Sequence, residues 1–97
     1  MKIDGSYITV LLRVHGLVQG VGFRYWTKAR AGELALGGYV KNLPDKSVEA
    51  LLSGSMDAVG KMVELMGFGP GHSIVDELEI VKRTKTDEPV QGFRILN

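Results

Sequence analysis

The 97-residue chain contains no cysteine, which excludes both a disulfide framework and a thiolate metal site. It has no apolar run near the ~20 residues that a membrane-spanning helix needs, and its N-terminus lacks the apolar stretch of a signal peptide. It has no excess of either charge, because 12 Lys and Arg residues face 11 Asp and Glu residues. These absences predict a cytoplasmic protein that binds neither membranes nor nucleic acids.

The length and the ordinary composition predict one domain over residues 7–97, preceded by a flexible tail at residues 1–6. Helical periodicity is present over Phe23–Leu36, which Gly37-Gly38 would end, and over Ser55–Met66, with Ser55 as N-cap and Met56, Met62 and Met66 in the core. Strands are expected over Tyr7–His15, Gly38–Leu43, Ser47–Ser53 and Val75–Lys82, and a short one at Phe93 to Ile95. This order predicts an α+β, ferredoxin-like βαββαβ sandwich, with an antiparallel sheet and both helices on one face.

The segment from Gly16 to Arg24 places three glycines within seven positions, between a predicted strand and a predicted helix. Glycines at this spacing let successive N–H groups point into one concavity, which suits an anion. A helix N-terminus adds unpaired donors, and Arg24 adds a planar fork for two phosphate oxygens. The candidate phosphate-binding residues are Gln19, Gly20, Val21, Gly22, Phe23 and Arg24. The glycines alone favour the alternative, a tight structural connection.

Two longer strings are more specific than the glycines. Gly-x-Val-Gln-Gly-Val-x-Phe-Arg, ending at Arg24, resembles the first signature of the acylphosphatase family. Gly-Tyr-Val-Lys-Asn, ending at Asn42, resembles the second, and the similarity runs from about Tyr7 to Ile95. One departure is Lys46, where the family usually has glycine. Lys46 is expected in the left-handed conformation that the Pro44-Asp45-Lys46 turn requires.

The resemblance implies hydrolysis of the carboxyl–phosphate bond of small acyl phosphates, such as acetyl phosphate, carbamoyl phosphate and 1,3-bisphosphoglycerate. It also implies catalytic roles for Arg24, which would bind the phosphate, and for Asn42, which would place the attacking water. The predicted topology agrees, because the glycine-rich segment and Asn42 would lie at the same edge of the sheet. An asparagine beside Leu-Pro-Asp also fits a simple turn cap.

No metal and no cofactor are expected, because neither His15 nor His72 has another ligand at suitable spacing. An amide cannot accept a proton at neutral pH, so Asn42 could only orient water. That suits an acyl phosphate, whose carboxylate leaving group needs no protonation.

The alternative function is a non-catalytic phosphate-binding or regulatory ferredoxin-like domain, such as the acylphosphatase-like domain of hydrogenase-maturation proteins. An RNA-binding domain is disfavoured, because the central strands offer no pair of exposed aromatic residues. Acyl phosphates and inorganic phosphate are therefore the expected partners, and a monomer is the expected state.

Overall fold

The computed structural model describes residues 7–97, so the predicted tail at residues 1–6 lies outside the described residues. The strands are β1 (Tyr7–Leu17), β2 (Gly37–Asn42), β3 (Val48–Ser55), β4 (Ile74–Thr86) and β5 (Phe93–Ile95). The helices are α1 (Phe23–Glu33), between β1 and β2, and α2 (Met56–Phe68), between β3 and β4. No helix in this described part of the chain is long and apolar enough to span a bilayer.

The five strands form one sheet in the order β4-β1-β3-β2-β5. The three pairs among β4, β1, β3 and β2 are antiparallel, whereas the outer strand β5 runs parallel to β2. Because β3 lies between β1 and β2, the carboxyl ends of β1 and β2 share one edge of the sheet. The predicted ferredoxin-like α+β fold is confirmed.

A single core joins one face of the sheet to both helices. Alternate residues of β1 are buried, as its sequence pattern predicts. They meet buried residues of α1 and α2, among them Phe23, Met62 and Met66. Met56 is the exception to the predicted methionine core. It is the first residue of α2, and 49% of its surface is exposed.

Helix α1 ends earlier than its sequence pattern predicts, at Glu33 instead of Leu36. The Leu36 N–H donates to the Ala31 carbonyl (2.9 Å), and Ala35 takes the left-handed conformation with φ 57°. These features are a Schellman ending in which alanine occupies the position that usually holds glycine. The glycine pair therefore opens β2 instead of capping the helix. A Cβ on Gly38 would overlap the Leu51 carbonyl oxygen of β3.

Several other boundaries also differ from the predicted ones, among them the ends of α2, β3 and β4, and β1 runs past His15 to Leu17. Helix α2 begins after its predicted N-cap Ser55, whose hydroxyl accepts from the Ala58 N–H (3.1 Å), but it runs through Gly67 to Phe68. Strand β3 extends to Ser55, where it still pairs with Tyr7. Strand β4 extends past Lys82 to Thr86, because its pairing with β1 continues to the Tyr7–Thr86 pair. This edge segment is charged and exposed, so it lacks the alternation that marks a half-buried strand.

The β2–β3 connection is a three-residue turn, Pro44–Lys46. The Lys46 N–H donates to the Leu43 carbonyl (3.1 Å), and the Leu43 N–H donates to the Ser47 carbonyl (2.9 Å). Lys46 has φ 80°, so it adopts the left-handed conformation expected of it. This is a type I turn followed by a left-handed residue, a position that favours glycine.

We expect Lys46→Gly to stabilise the fold by up to about 1 kcal/mol, because lysine is strained in the left-handed region. Glycine's larger freedom in the unfolded chain offsets part of that gain. Urea midpoints of the two proteins measure the change. Lys46→Ala is the matched control: it removes the same side chain but keeps Cβ, so it should show no gain. A lower midpoint for Lys46→Gly than for Lys46→Ala would contradict the strain argument.

Candidate functional site

Gly16 and Leu17 still belong to β1, where they pair with β4, and the glycine loop, residues 18–22, then leaves β1 and turns directly into α1. Val18 and Phe23 are each 1% exposed and anchor this stretch of backbone in the core. Between them Gly20 and Gly22 take positive φ angles of 75° and 79°, on either side of Val21. Left-handed residues alternating with ordinary ones aim successive N–H groups into one concavity, so the loop has the shape of an anion-binding nest.

The N–H groups of this nest are unpaired. Within the described chain, no backbone N–H from Gly20 to Arg24 donates to a protein acceptor. Gly22 is the N-cap of α1 and has no side chain to cap it, and the first turn contains no acidic residue. Gly20 and Gly22 are exposed, and a Cβ on either would meet no atom within 4 Å, so the loop is open to solvent at these two glycines. Free donors, a helix N-terminus and open space together suit a bound phosphate.

The Gln19 side chain binds the protein backbone and is not free to bind phosphate. Its Nε2 donates to the carbonyl oxygens of Leu43 (3.0 Å) and Ser47 (2.9 Å). The side chain therefore ties the glycine loop to the β2–β3 turn, and only the backbone N–H of Gln19 remains available to an anion.

The turn that receives Gln19 is itself fixed by Asp45. The Ser47 hydroxyl donates to the Asp45 carboxylate, and the Ser47 N–H donates to the same oxygen (3.0 Å). These two hydrogen bonds, the hydroxyl's first, lower the pKa of Asp45 below its ordinary value. The turn thus provides a rigid support for the loop on its side of the site.

Arg24 and Asn42 are brought together through a residue that sequence analysis missed, Asn97. Asn97 Oδ1 accepts from Arg24 Nη1 (3.4 Å) and from the Asn42 N–H (3.0 Å). Asn97 Nδ2 donates to the Asn42 carbonyl (2.9 Å). The signal that could have revealed it is topological, because a strand placed parallel to β2 delivers its following residues to the end of β2.

The Asn42 side chain is free for other partners. Its Oδ1 is buried and accepts no hydrogen bond from any described residue. The hydrogen bonds of the β2–β3 turn come from other groups, so the structure shows no turn cap by this side chain. The carboxamide oxygen therefore keeps its capacity to accept a hydrogen bond.

The open face of the sheet carries a charged cluster next to β2. Glu49, only 7% exposed, accepts from the Tyr39 hydroxyl (2.8 Å) and lies near the cations of Arg13 (3.4 Å) and Lys41 (3.7 Å). Burial and the hydrogen bond to Glu49 raise the pKa of Tyr39 to about 12. The cluster ties β2 to β3 and β1, one residue before Asn42 along β2.

We expect the fold to lose stability between about pH 10 and pH 12, because the folded state holds Tyr39 protonated beyond its ordinary pKa of 10.0. The raised pKa contributes stability that is complete below pH 10 and disappears as pH rises through 12. Tyr39→Phe should remove the last phenolate to form in an ultraviolet absorbance titration. A titration of Tyr39→Phe that keeps this last component would rule out the assignment.

The histidines and acidic residues do not form a metal site. His15 Nε2 contacts Glu79 Oε1 at 3.2 Å, and His72 is exposed in the loop before β4. Across residues 7–97 no group of three or more His, Cys, Asp or Glu side chains is placed to hold a metal ion.

The fold is that of a ferredoxin-like domain, and known proteins identify its family. The acylphosphatase family model matches residues 10–95. The chain is 43% identical over 89 residues to the acylphosphatase of Caldivirga maquilingensis, covering 91% of this chain and 86% of that protein. It is 43% identical over 95 residues to the acylphosphatase of Bifidobacterium longum, covering 98% of each. The crystal structure of the Bacillus subtilis acylphosphatase matches with a TM-score of 0.86 and 33% identity, over 93% of this chain and 99% of that one.

The chain therefore belongs to the acylphosphatase family. Its enzyme class is that of the acylphosphatases, which are hydrolases.

Proposed function

We propose that this chain hydrolyses the carboxyl–phosphate bond of small acyl phosphates to a carboxylate and inorganic phosphate. The observation that supports this best is the run of N–H groups from Gly20 to Arg24, none of which donates to an acceptor in the described chain, in a loop whose glycines Gly20 and Gly22 are exposed. The Arg24 guanidinium and the Asn42 backbone N–H both donate to Asn97 Oδ1, so the two residues lie at the same end of the sheet.

Arg24 and the nest hold the phosphoryl group in this proposal. Phosphoryl transfer passes through a loose transition state whose charge spreads over the equatorial oxygens. Backbone donors and a guanidinium that are already fixed in place stabilise that charge without reorganising during the reaction. Gln19 contributes its backbone N–H, while its side chain keeps the loop in position against the β2–β3 turn.

Asn42 positions the attacking water. Its buried Oδ1 needs a donor, and a water molecule between Asn42 and the bound phosphoryl group would supply one. The backbone of Asn42 is held on both sides by Asn97, so the carboxamide projects from a fixed point. Holding the nucleophile in line with the phosphorus lowers the entropic part of the barrier.

The chemistry of the substrate explains why so simple a site is sufficient. An acyl phosphate expels a carboxylate, which is stable as an anion and requires no general acid. A phosphate ester of an alcohol expels an alkoxide, which does require one. The site contains donors and an amide but no acid placed to protonate a leaving group, so it selects acyl phosphates over alkyl phosphates.

Hydrolysis of benzoyl phosphate in the presence of EDTA tests this function. We expect phosphate release well above the buffer rate, no change when EDTA is replaced by Mg²⁺, and no release from an alkyl phosphate monoester. Phosphate binding without turnover would instead support the non-catalytic alternative. A rate that falls on chelation and returns with metal would refute the metal-free site.

A further inference from the structure

We propose that Asn97 is a positioning residue for the phosphate site, whose side-chain amide holds the Arg24 guanidinium at the end of β2 without neutralising its charge. The inference rests on the proposed phosphate role of Arg24. It adds a third side chain, two residues beyond β5, to the two signature segments from which the site was predicted.

The Asn97 amide is itself firmly placed. β5 pairs in parallel with β2, and the Leu96 N–H continues that pairing by donating to the Val40 carbonyl (3.1 Å). One residue later the Asn97 side chain, not its backbone, bonds β2: Oδ1 accepts from the Asn42 N–H (3.0 Å) and Nδ2 donates to the Asn42 carbonyl (2.9 Å). A planar amide held at both ends has one orientation, so the direction of Oδ1 is fixed.

The fixed Oδ1 is the acceptor that Arg24 uses, at 3.4 Å from Nη1. An arginine side chain has large rotamer freedom, and a guanidinium that is already placed loses less of that freedom when a phosphate binds. Asn97 leaves the other N–H groups of the guanidinium available, because Oδ1 accepts from only one of its nitrogens.

The Asn97 side chain carries no charge, and this also matters for phosphate binding by Arg24. In the part of the chain that the structure describes, none of the ion pairs involves Arg24. A carboxylate in place of the Asn97 amide could reach the same two donors, but it would compete with phosphate for the guanidinium and repel the anion. An amide orients Arg24 and leaves its full charge for the substrate.

Three variants separate positioning from structure: Asn97→Ala, Asn97→Asp and the control Gln91→Ala. Gln91 is an exposed amide before β5 whose side chain, among residues 7–97, hydrogen-bonds only the Pro89 carbonyl. The readouts are the inhibition constant of inorganic phosphate, KM and kcat with benzoyl phosphate, and the urea midpoint.

We expect Asn97→Ala to raise both KM and the phosphate inhibition constant by about threefold to tenfold, the net value of one ordinary hydrogen bond, because the contact with Arg24 is long and exposed. Asn97→Asp should bind phosphate more weakly than Asn97→Ala at neutral pH, although its carboxylate still accepts from the Asn42 N–H and only the donation to the Asn42 carbonyl is lost. Gln91→Ala should match the wild type in phosphate inhibition. A purely structural Asn97 would instead make phosphate affinity follow the urea midpoint, and that result would overturn the proposal.

The Arg24→Lys background gives the most selective readout. Lysine keeps a cation but has no planar fork for Asn97 to orient. In that background Asn97→Ala should change phosphate inhibition by less than about twofold, because interaction energies vanish when one partner is lost. Equal losses in both backgrounds would overturn the proposal. If the wild type binds phosphate but does not hydrolyse acyl phosphates, the proposed function fails, and the phosphate dissociation constants of the same variants, measured by calorimetry, still decide the role of Asn97.

Discussion

Replacing Arg24 with alanine should lower kcat/KM for benzoyl phosphate by about 10³-fold and should also weaken inhibition by inorganic phosphate. The two losses belong together, because the guanidinium contacts phosphoryl oxygens in the substrate, in the transition state and in the product. The size follows from removing a charge-assisted, two-pronged donor from a site that contains few other groups.

Arg24→Ala has two control variants, one at another position of the same helix and one at position 24 itself. Lys28→Ala removes the same charge one turn later on α1, where the side chain is exposed, and should leave both constants nearly unchanged. Arg24→Lys should fall between the wild type and Arg24→Ala, because it keeps the charge and loses the fork. Unaltered phosphate inhibition in Arg24→Ala would show that the nest binds phosphate without this side chain.

Replacing Asn42 with alanine should lower kcat by about 10²-fold to 10³-fold while phosphate inhibition stays within about twofold of the wild type. The difference from Arg24 follows from geometry. The hydrogen bonds between Asn42 and Asn97 use the Asn42 backbone, so they survive the substitution and the end of β2 keeps its place. Only the carboxamide that would orient water is lost.

The urea midpoint provides the control for this second prediction. The buried Oδ1 of Asn42 accepts no hydrogen bond from the described chain, so the substitution by alanine breaks none there. We therefore expect Asn42→Ala to be as stable as the wild type. Near-normal turnover in this variant would refute the role assigned to Asn42, and a parallel loss of phosphate inhibition would place it among the phosphate ligands instead.

Sequence periodicity predicted the fold well where residues are half-buried. The β1 alternation and the α2 repeat both reflect one face against the core, so each element was placed within a few residues. The end of α1 was placed too late because Leu36 continues the apolar pattern although the backbone has already turned at Ala35. Beyond Lys82, β4 was missed because an exposed edge strand is held by backbone pairing with β1, which leaves no apolar pattern.

The two motif segments were sufficient to nominate the loop, Arg24 and Asn42, but not to show how they are supported. The Gln19 side chain reaches a turn 24 to 28 residues away, and its direction depends on tertiary structure. Asn97 meets Arg24 across a sequence separation of 73 residues, through a strand pairing that periodicity does not specify. Contacts of this kind carry no local sequence signal, so they had to be read from the fold.

Hydrolysis of benzoyl phosphate in ¹⁸O-labelled water, with EDTA present, tests the central claim most directly. If the nest and Arg24 hold the phosphoryl group while Asn42 directs water at phosphorus, the label enters inorganic phosphate and none enters benzoate. The label in benzoate would mean that water attacks the carbonyl carbon, and it would contradict the arrangement of the site described above.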